Sequence, residues 1–473
     1  MRLICDEEFK NDLEELLRAF LIAESGSGVF EDTENGILID FAKKEDGGRE
    51  DAFLEAYAEY RETRKSAVET IFDKSHLALK RQKKRMLKRL LYDMLSELQK
   101  KTLPYGSLTG VRPTKLAYEY FETKGSDATK AILTEYYRVS DSKSALILEI
   151  LKNQKGIYDK TPKLFDIYIN IPFCPTRCSY CSFVTSDIKR AKKFLEPYIK
   201  CLIEEIDLIF ELSGGRCNAL YIGGGTPTAI DNDGLERILR AVSRFKFNEF
   251  TVEAGRPDSI NDGNLSLIKE SGAGRVSVNP QSFNQKTLDI IGRSHTAKDI
   301  YTAFERARRF GFDINTDIIA MLPDESVEDF LYTVERCVEL SPENITAHNL
   351  SLKRGSRLKL GNFNMGDAET ADEMTERAYE TLKRGGYAPY YMYRQKYMSG
   401  NLENCGYTKP GRACAYNIDI MEETHSILSA GAGAISKRVV KDKIDRLANI
   451  KDVAGYIERH EETLKKKRDF FGL

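Results

Sequence analysis

Ile171-Pro-Phe-Cys174-Pro-Thr-Arg-Cys178-Ser-Tyr-Cys181-Ser-Phe183 holds three cysteines in a C-x3-C-x2-C pattern. Three thiolates this close in sequence can face one small metal centre. A [4Fe–4S] cluster normally takes four cysteines, and a structural zinc site also takes four ligands. Three soft ligands leave one metal position open, and an open position is where a metal centre does chemistry. The same triplet completed by a distant His or Cys would instead be a zinc knuckle. Residues 165–171, just before it, read as a strand, so the cysteines open a loop at a strand's C-terminal end. Further strand signals follow at 219–222, 249–254, 275–279, 313–319 and 344–350, each succeeded by a helical stretch or a loop. Six such units predict an α/β fold, a partial (β/α)6 barrel with reactive loops at the strand C-terminal ends.

Working outward, the chain divides into an N-terminal α/β accessory domain over 1–160, the barrel over 161–355 and a C-terminal α+β cap over 356–473. In the first region, short strands at 2–5 and 36–41 flank an amphipathic helix at 9–22. A long helical stretch is expected from about 51 to 101. It carries the basic run Lys80-Arg-Gln-Lys-Lys-Arg85 with Lys88 and Arg89. That run reads as a polyanion patch, or as the solvated face of a helix whose core side is Leu77, Leu79, Met86, Leu87, Leu90 and Leu91. In the cap, a helix is expected at 367–384, a Tyr-rich strand at 387–397 and a terminal helix at 450–467. Tyr387, Tyr390, Tyr391 and Tyr393 would stack on a flat ligand or pack a sheet.

The 473-residue chain has a net charge of −1, which gives no global attraction to nucleic acid or acidic membranes. No apolar run reaches the roughly 18 residues of a membrane span, and the start runs into acidic residues too soon for a signal peptide. Nine irregularly spaced cysteines point to a reducing, cytoplasmic setting. Tryptophan is absent. Cys405 and Cys414 are extra cluster ligands or plain reduced thiols.

Tyr221-Ile-Gly223-Gly-Gly225-Thr-Pro-Thr228 follows the second strand signal. Its glycines let backbone approach a ligand, and their N–H groups with the Thr hydroxyl can hold a small zwitterion. With Tyr168-Ile-Asn-Ile-Pro-Phe-Cys174, Asn279-Pro-Gln-Ser-Phe-Asn284, Ile291-Gly-Arg-Ser-His-Thr296 and Asn315-Thr-Asp-Ile-Ile-Ala-Met-Leu-Pro323, this motif set resembles the oxygen-independent coproporphyrinogen III oxidase group of radical S-adenosylmethionine (SAM) enzymes. Leu108-Thr-Gly-Val-Arg-Pro113 and Tyr391-Met-Tyr-Arg-Gln-Lys396 resemble its HemZ branch.

The resemblance implies a [4Fe–4S] cluster on Cys174, Cys178 and Cys181, and one or two SAM molecules. It implies SAM contacts from Tyr168, Tyr180, Gly224, Gly225, Thr226 and Glu253, with Ser351 and Ile435 as two looser matches. Gln281, Arg293 and Asp317 match a polar set for SAM or a second SAM, and with Tyr168 form the candidate catalytic set. An Arg at 293 can fork onto a carboxylate, and a Gln at 281 offers donor and acceptor together; an Arg293–Asp317 ion pair is the structural alternative. His295 and His348 are acid–base candidates or ordinary hydrogen-bonded histidines.

The implied activity is radical decarboxylation of coproporphyrinogen III propionates to vinyl groups, giving protoporphyrinogen IX. A 5′-deoxyadenosyl radical would abstract the hydrogen, and a low-potential donor such as flavodoxin or ferredoxin would feed a monomer. Arg394 and Lys396 are candidate clamps for the tetrapyrrole substrate's propionates. Two other classes stay in view: a radical SAM haem chaperone and an RNA-modifying radical SAM enzyme. Chaperones commonly carry His-Asn-x-x-Tyr-Trp after a Pro-Gly turn; after Pro410-Gly411 this chain has Tyr416-Asn-Ile-Asp-Ile-Met421. The chain also departs from the family at Asn170, where many members have His, and at Arg256, where relatives often have Asn before the Pro.

Overall fold

The computed structural model describes residues 2–25, 36–41, 53–110, 112–159, 164–353, 355–361, 363, 366–395, 398–440 and 443–472. Val111 and Lys396, named above, lie outside these residues. Contacts group the chain into two compact units: Met1–Glu149 with Asn364–Asp372 and Arg394–Glu403, and Ile150–Phe363 with Glu373–Tyr393 and Asn404–Leu473.

The first unit holds a four-stranded sheet, β1 (Arg2–Ile4), β2 (Gly36–Phe41), β3 (Phe53–Tyr60) and β4 (Thr63–Thr70), in that order. Helices Glu7–Ser25 and His76–Gln99 cover it, burying Phe9, Leu13, Leu16, Leu17, Phe20, Met86, Leu87, Leu90 and Leu91 against Ile37, Ile39, Ala56 and Ala58. The helix expected over 51–101 is therefore only partly present: residues 53–70 form an antiparallel hairpin. Leu54, Ala56 and Ala58 are buried at every second position, a period-2 face that overrides the local helix propensity of these Leu and Ala residues and of Glu55 and Glu59 between and beside them. Arg61 makes the turn with φ +56. The basic run on the second helix meets carboxylates of its own unit: Lys80 pairs with Glu8, Lys84 and Lys88 with Asp12, Arg85 with Glu119 and Arg89 with Glu69. Five of its seven cations are thereby paired.

The second unit is built on an 11-stranded sheet. Its six central strands are parallel: β5 (Phe165–Ile171), β8 (Cys217–Gly224), β9 (Glu249–Gly255), β10 (Arg275–Val278), β11 (Asp313–Ala320) and β12 (Asn344–Asn349). They match the six strand signals and form the expected partial barrel. Their apolar residues, such as Ile167, Ile169, Leu220, Ile222, Val252, Val276, Ile314 and Ile345, are buried, as a sheet covered on both faces requires. Two short strands, β6 (Phe173–Cys174) and β7 (Ser186–Asp187), pair with each other above β5.

The C-terminal third extends this same sheet. β13 (Ala388–Arg394) and β14 (Glu403–Thr408) continue beyond β12, and β15 (Ile427–Ala430) lies parallel to β5, followed by antiparallel β16 (Ile435–Val440) and β17 (Lys443–Ala448). Residues 404–473 thus belong to the barrel's contact unit, because ladder hydrogen bonds join them to both of its edges. Among the described residues no helix is long and apolar enough to cross a membrane.

Candidate functional site: the cysteine loop and the strand ends

β5 delivers the chain to Cys174, and the loop beyond it carries Cys178 and Cys181. The loop is tied down by backbone bonds: Ser179 N–H to Ile291 O at 2.9 Å and Cys181 N–H to Cys178 O at 3.3 Å. All three cysteines are free thiols. Burial pushes the Cys174 thiol up, while hydrogen bonds from Thr226 and Thr185 and the Arg256 charge pull it down. Among the described residues, these three sulfurs do not all lie within 4.8 Å of one another. A tetrahedral zinc would draw its sulfurs to about 3.8 Å apart, from Zn–S bonds of about 2.3 Å.

The glycine motif packs directly on this loop. Gly225 donates its N–H to Ile171 O at 2.9 Å, and Thr226 to Phe173 O at 2.7 Å. A Cβ on Gly225 would fall 2.5 Å from Phe173 O and 2.9 Å from Cys174 Sγ. Gly224 takes φ +118, closed to side-chain-bearing residues. The Thr226 hydroxyl sits 3.6 Å from Cys174 Sγ. The motif is a cradle shaped to the first cysteine.

Inside the barrel, Tyr168, Tyr221 and Tyr416 form a stack. Tyr221 and Tyr416 lie 4.5 Å apart at 22°, and Tyr168 lies 6.2 Å from Tyr221 and 6.3 Å from Tyr416. Tyr168 also donates to Asn170 Oδ1 at 3.2 Å. Tyr221 donates to Glu253 Oε1 at 2.7 Å. Burial pushes the Glu253 carboxyl up to about 7, against the Tyr221 hydrogen bond, with the nearby Asp317 charge adding to the rise.

At the ends of β10 and β11 sit the other candidates. Gln281 is buried with φ +69, and its side-chain carbonyl has no hydrogen-bond partner among the described residues. Its backbone bridges Asp317 O and Ile319 N. Arg293 donates to Asn279 O at 2.9 Å and to the Tyr180 hydroxyl at 3.1 Å, leaving its buried Nε without a partner among the described residues. Arg293 and Asp317 do not pair among the described ion pairs; Asp317 instead faces His348 Nε2 at 3.6 Å, and His348 Nδ1 meets the Tyr393 hydroxyl at 3.2 Å. Ser351 follows β12, and Ile435 opens β16 with 47% of its surface exposed. The loop before Ile435 is fixed by Glu205, which accepts from Gly431 N–H at 2.8 Å and pairs with the buried Lys467.

The radical SAM superfamily model matches residues 168–337. The oxygen-independent coproporphyrinogen-III oxidase-like protein HemZ of Bacillus subtilis is 37% identical over 383 residues, covering 77% of this chain and 76% of that protein. The chain belongs to the HemZ family of radical SAM proteins. The heme chaperone HemW of Lactococcus lactis is 32% identical over 232 residues, 47% of this chain and 60% of that protein. Among solved structures, coproporphyrinogen III oxidase (HemN) from Escherichia coli shares the fold, with a TM-score of 0.53 and 22% identity over 64% of this chain and 70% of that one.

Radical SAM proteins use a [4Fe–4S] cluster and SAM, and the residues of this HemZ-family chain fit both. The donor set is three thiols with a position to spare, the glycine motif packs its backbone onto Phe173 and Cys174 where a side chain would not fit, and Gln281 Oε1 and Arg293 Nε are buried polar atoms with no partner among the described residues. Other candidates have structural work. The Cys414 thiol contacts Glu249 at 3.1 Å. Arg394 is buried, stacks over Tyr105 at 4.3 Å and spends its donors on the Leu108 and Asn401 carbonyls. Tyr390 and Tyr391 are buried sheet residues. His295 is enclosed beside Asp258 at 3.8 Å.

Sequence reasoning passed over Tyr221 and Tyr416 as a stacked pair and Arg256 as a neighbour of the cysteines. Tyr221 had a signal: one pleat period before Gly223, it shares that residue's face. Arg256 had only its departure from the family pattern.

Proposed function

We propose that this chain carries out oxygen-independent oxidative decarboxylation of coproporphyrinogen III, converting two propionates to vinyl groups to give protoporphyrinogen IX. The observation that carries the reading is the Tyr416 ring, stacked 4.5 Å from Tyr221 at the position where the chaperone signature has its axial-type His. The match to HemZ along 77% of the chain supports it.

In this reading Cys174, Cys178 and Cys181 hold the cluster. Tyr168, Tyr180, Gly224, Gly225, Thr226, Glu253, Ser351 and Ile435 contact SAM. Gln281, Arg293 and Asp317 hold the same or a second SAM. When bound, cluster and SAM together supply a carbon radical able to take a hydrogen atom. Each propionate loses one hydrogen atom from its β-carbon, then the bond to its carboxylate breaks, releasing CO2 and one electron as the C=C bond forms. The electron passes to a one-electron acceptor, and a separate low-potential donor such as flavodoxin or ferredoxin supplies the electron that starts each cycle. The chain's own residues orient and seal: Arg293, fixed by Asn279 and Tyr180, presents a positive charge, and the tyrosine stack excludes water from the barrel.

The test is anaerobic incubation of reconstituted protein with SAM, dithionite and coproporphyrinogen III, followed by chromatography for vinyl products and CO2. SAM cleavage with neither product overturns the reading. The HemW match favours a second reading, a haem-trafficking protein; tight stoichiometric haem binding without turnover in the same preparation would select it.

A further inference from the structure

Arg256 ends the β9 segment as the residue before Pro257, and it is 4% exposed. Its Nε and one terminal nitrogen fork onto Asp258 at 2.9 and 2.8 Å. Its other terminal nitrogen turns to the cysteine loop. It donates to the Thr176 hydroxyl at 2.8 Å and the Thr176 carbonyl at 3.2 Å, and lies 4.0 Å from Cys178 Sγ. One buried cation thus clamps the middle of the Cys174–Cys178 segment and faces a ligand sulfur, and Asp258 holds its orientation.

We propose that Arg256 sets the reduction potential of the cluster, as a positioning residue that acts through Cys178. The inference rests on the reading that the three cysteines hold a [4Fe–4S] cluster. When such a cluster gains an electron, negative charge builds on its sulfurs. Hydrogen bonds to the sulfurs and buried charge beside them are the levers that move the potential. A fixed N–H donor and positive charge at Cys178 stabilise the reduced form more than the oxidised form, so Arg256 raises the potential and eases the first electron transfer. Lys would keep the charge but lose the planar fork that reaches Asp258 and Thr176 together.

The experiment is potentiometry monitored by electron paramagnetic resonance on reconstituted full-length protein, with iron and sulfide measured on each sample. The variants are Arg256→Gln, Arg256→Lys and the double variant Arg256→Gln/Asp258→Asn, which removes the guanidinium without stranding a buried carboxylate. The expected result is a loaded cluster in the double variant, with a midpoint lowered by about 59 mV, a tenfold change in a one-electron equilibrium, through loss of the N–H donor to Cys178, since the paired charges leave together; Arg256→Gln, which also leaves Asp258 uncompensated, should be lowered further. Arg256→Lys should fall between this and the unsubstituted protein. A midpoint unchanged at full iron content overturns the proposal. So does failure of every variant to load, which would assign Arg256 to loop structure alone. Absence of a cluster from the unsubstituted protein would instead defeat the underlying cluster reading, so the two failures are distinguishable.

Discussion

Tyr221 donates its hydroxyl proton to Glu253 at 2.7 Å across neighbouring parallel strands, and the acceptor is a buried carboxyl pushed up to about 7. The native state therefore keeps a proton that the unfolded chain gives up from its ordinary value of 4.5. Stability of the SAM-free protein should fall as pH rises through this window and level off above it. Glu253→Gln should remove that fall, a gain of at most about 3 kcal/mol at pH 8, while Tyr221→Phe should deepen it. Urea unfolding at pH 5 and pH 8 reads both signs; parallel curves for all three proteins would sink the assignment.

Gly225→Ala should cost about 1–3 kcal/mol by overpacking and lower iron loading, since the new methyl would press on Phe173 O and Cys174 Sγ. Gly274→Ala is the control, because nothing lies within 4 Å of its Cβ position. Equal iron content in the two variants would show that the cradle is not shaped to the cysteine.

Tyr416→Ala should lose about 3–5 kcal/mol, the usual cost of emptying a buried aromatic site, because its ring packs on both Tyr221 and Tyr168. Tyr416→Phe keeps the ring and should stay within about 1 kcal/mol of the unsubstituted protein. Denaturant midpoints decide it.

Arg394→Met should lower stability by at least about 2 kcal/mol, because the guanidinium serves the carbonyls of Leu108 and Asn401. The KM for coproporphyrinogen III should not change. A raised KM in folded protein would restore Arg394 as a substrate clamp.

The barrel was legible because its strands recur at regular spacing: short segments such as Phe165–Ile171 and Asp313–Ala320 are rich in Ile and are each followed by a loop or a helix. The 53–70 hairpin was not, since Ala and Glu favour helix locally and only pairing with β2 reveals the period-2 face. Among site residues, those carried by short motifs could be named from sequence. Tyr416 could be recognised as a substitution but not as the closing ring of a stack, because the helix Ala415–Glu422 that places it has no motif of its own. Arg256 meets Thr176 and Cys178 across a fold distance that no local pattern encodes.

On the side of β5 away from β8 lies β15, whose Ala430 pairs with Ile169, just ahead of the first cysteine. During synthesis the cysteine loop leaves the ribosome long before Ile427–Ala430 has been made. Until then one edge of β5, the strand that leads into the cysteine loop, has no neighbour, and pairings so distant in sequence form slowly. The strand that leads into the cysteine loop is thus completed only by a segment far downstream, so the loop's support depends on the C-terminal part of the sheet.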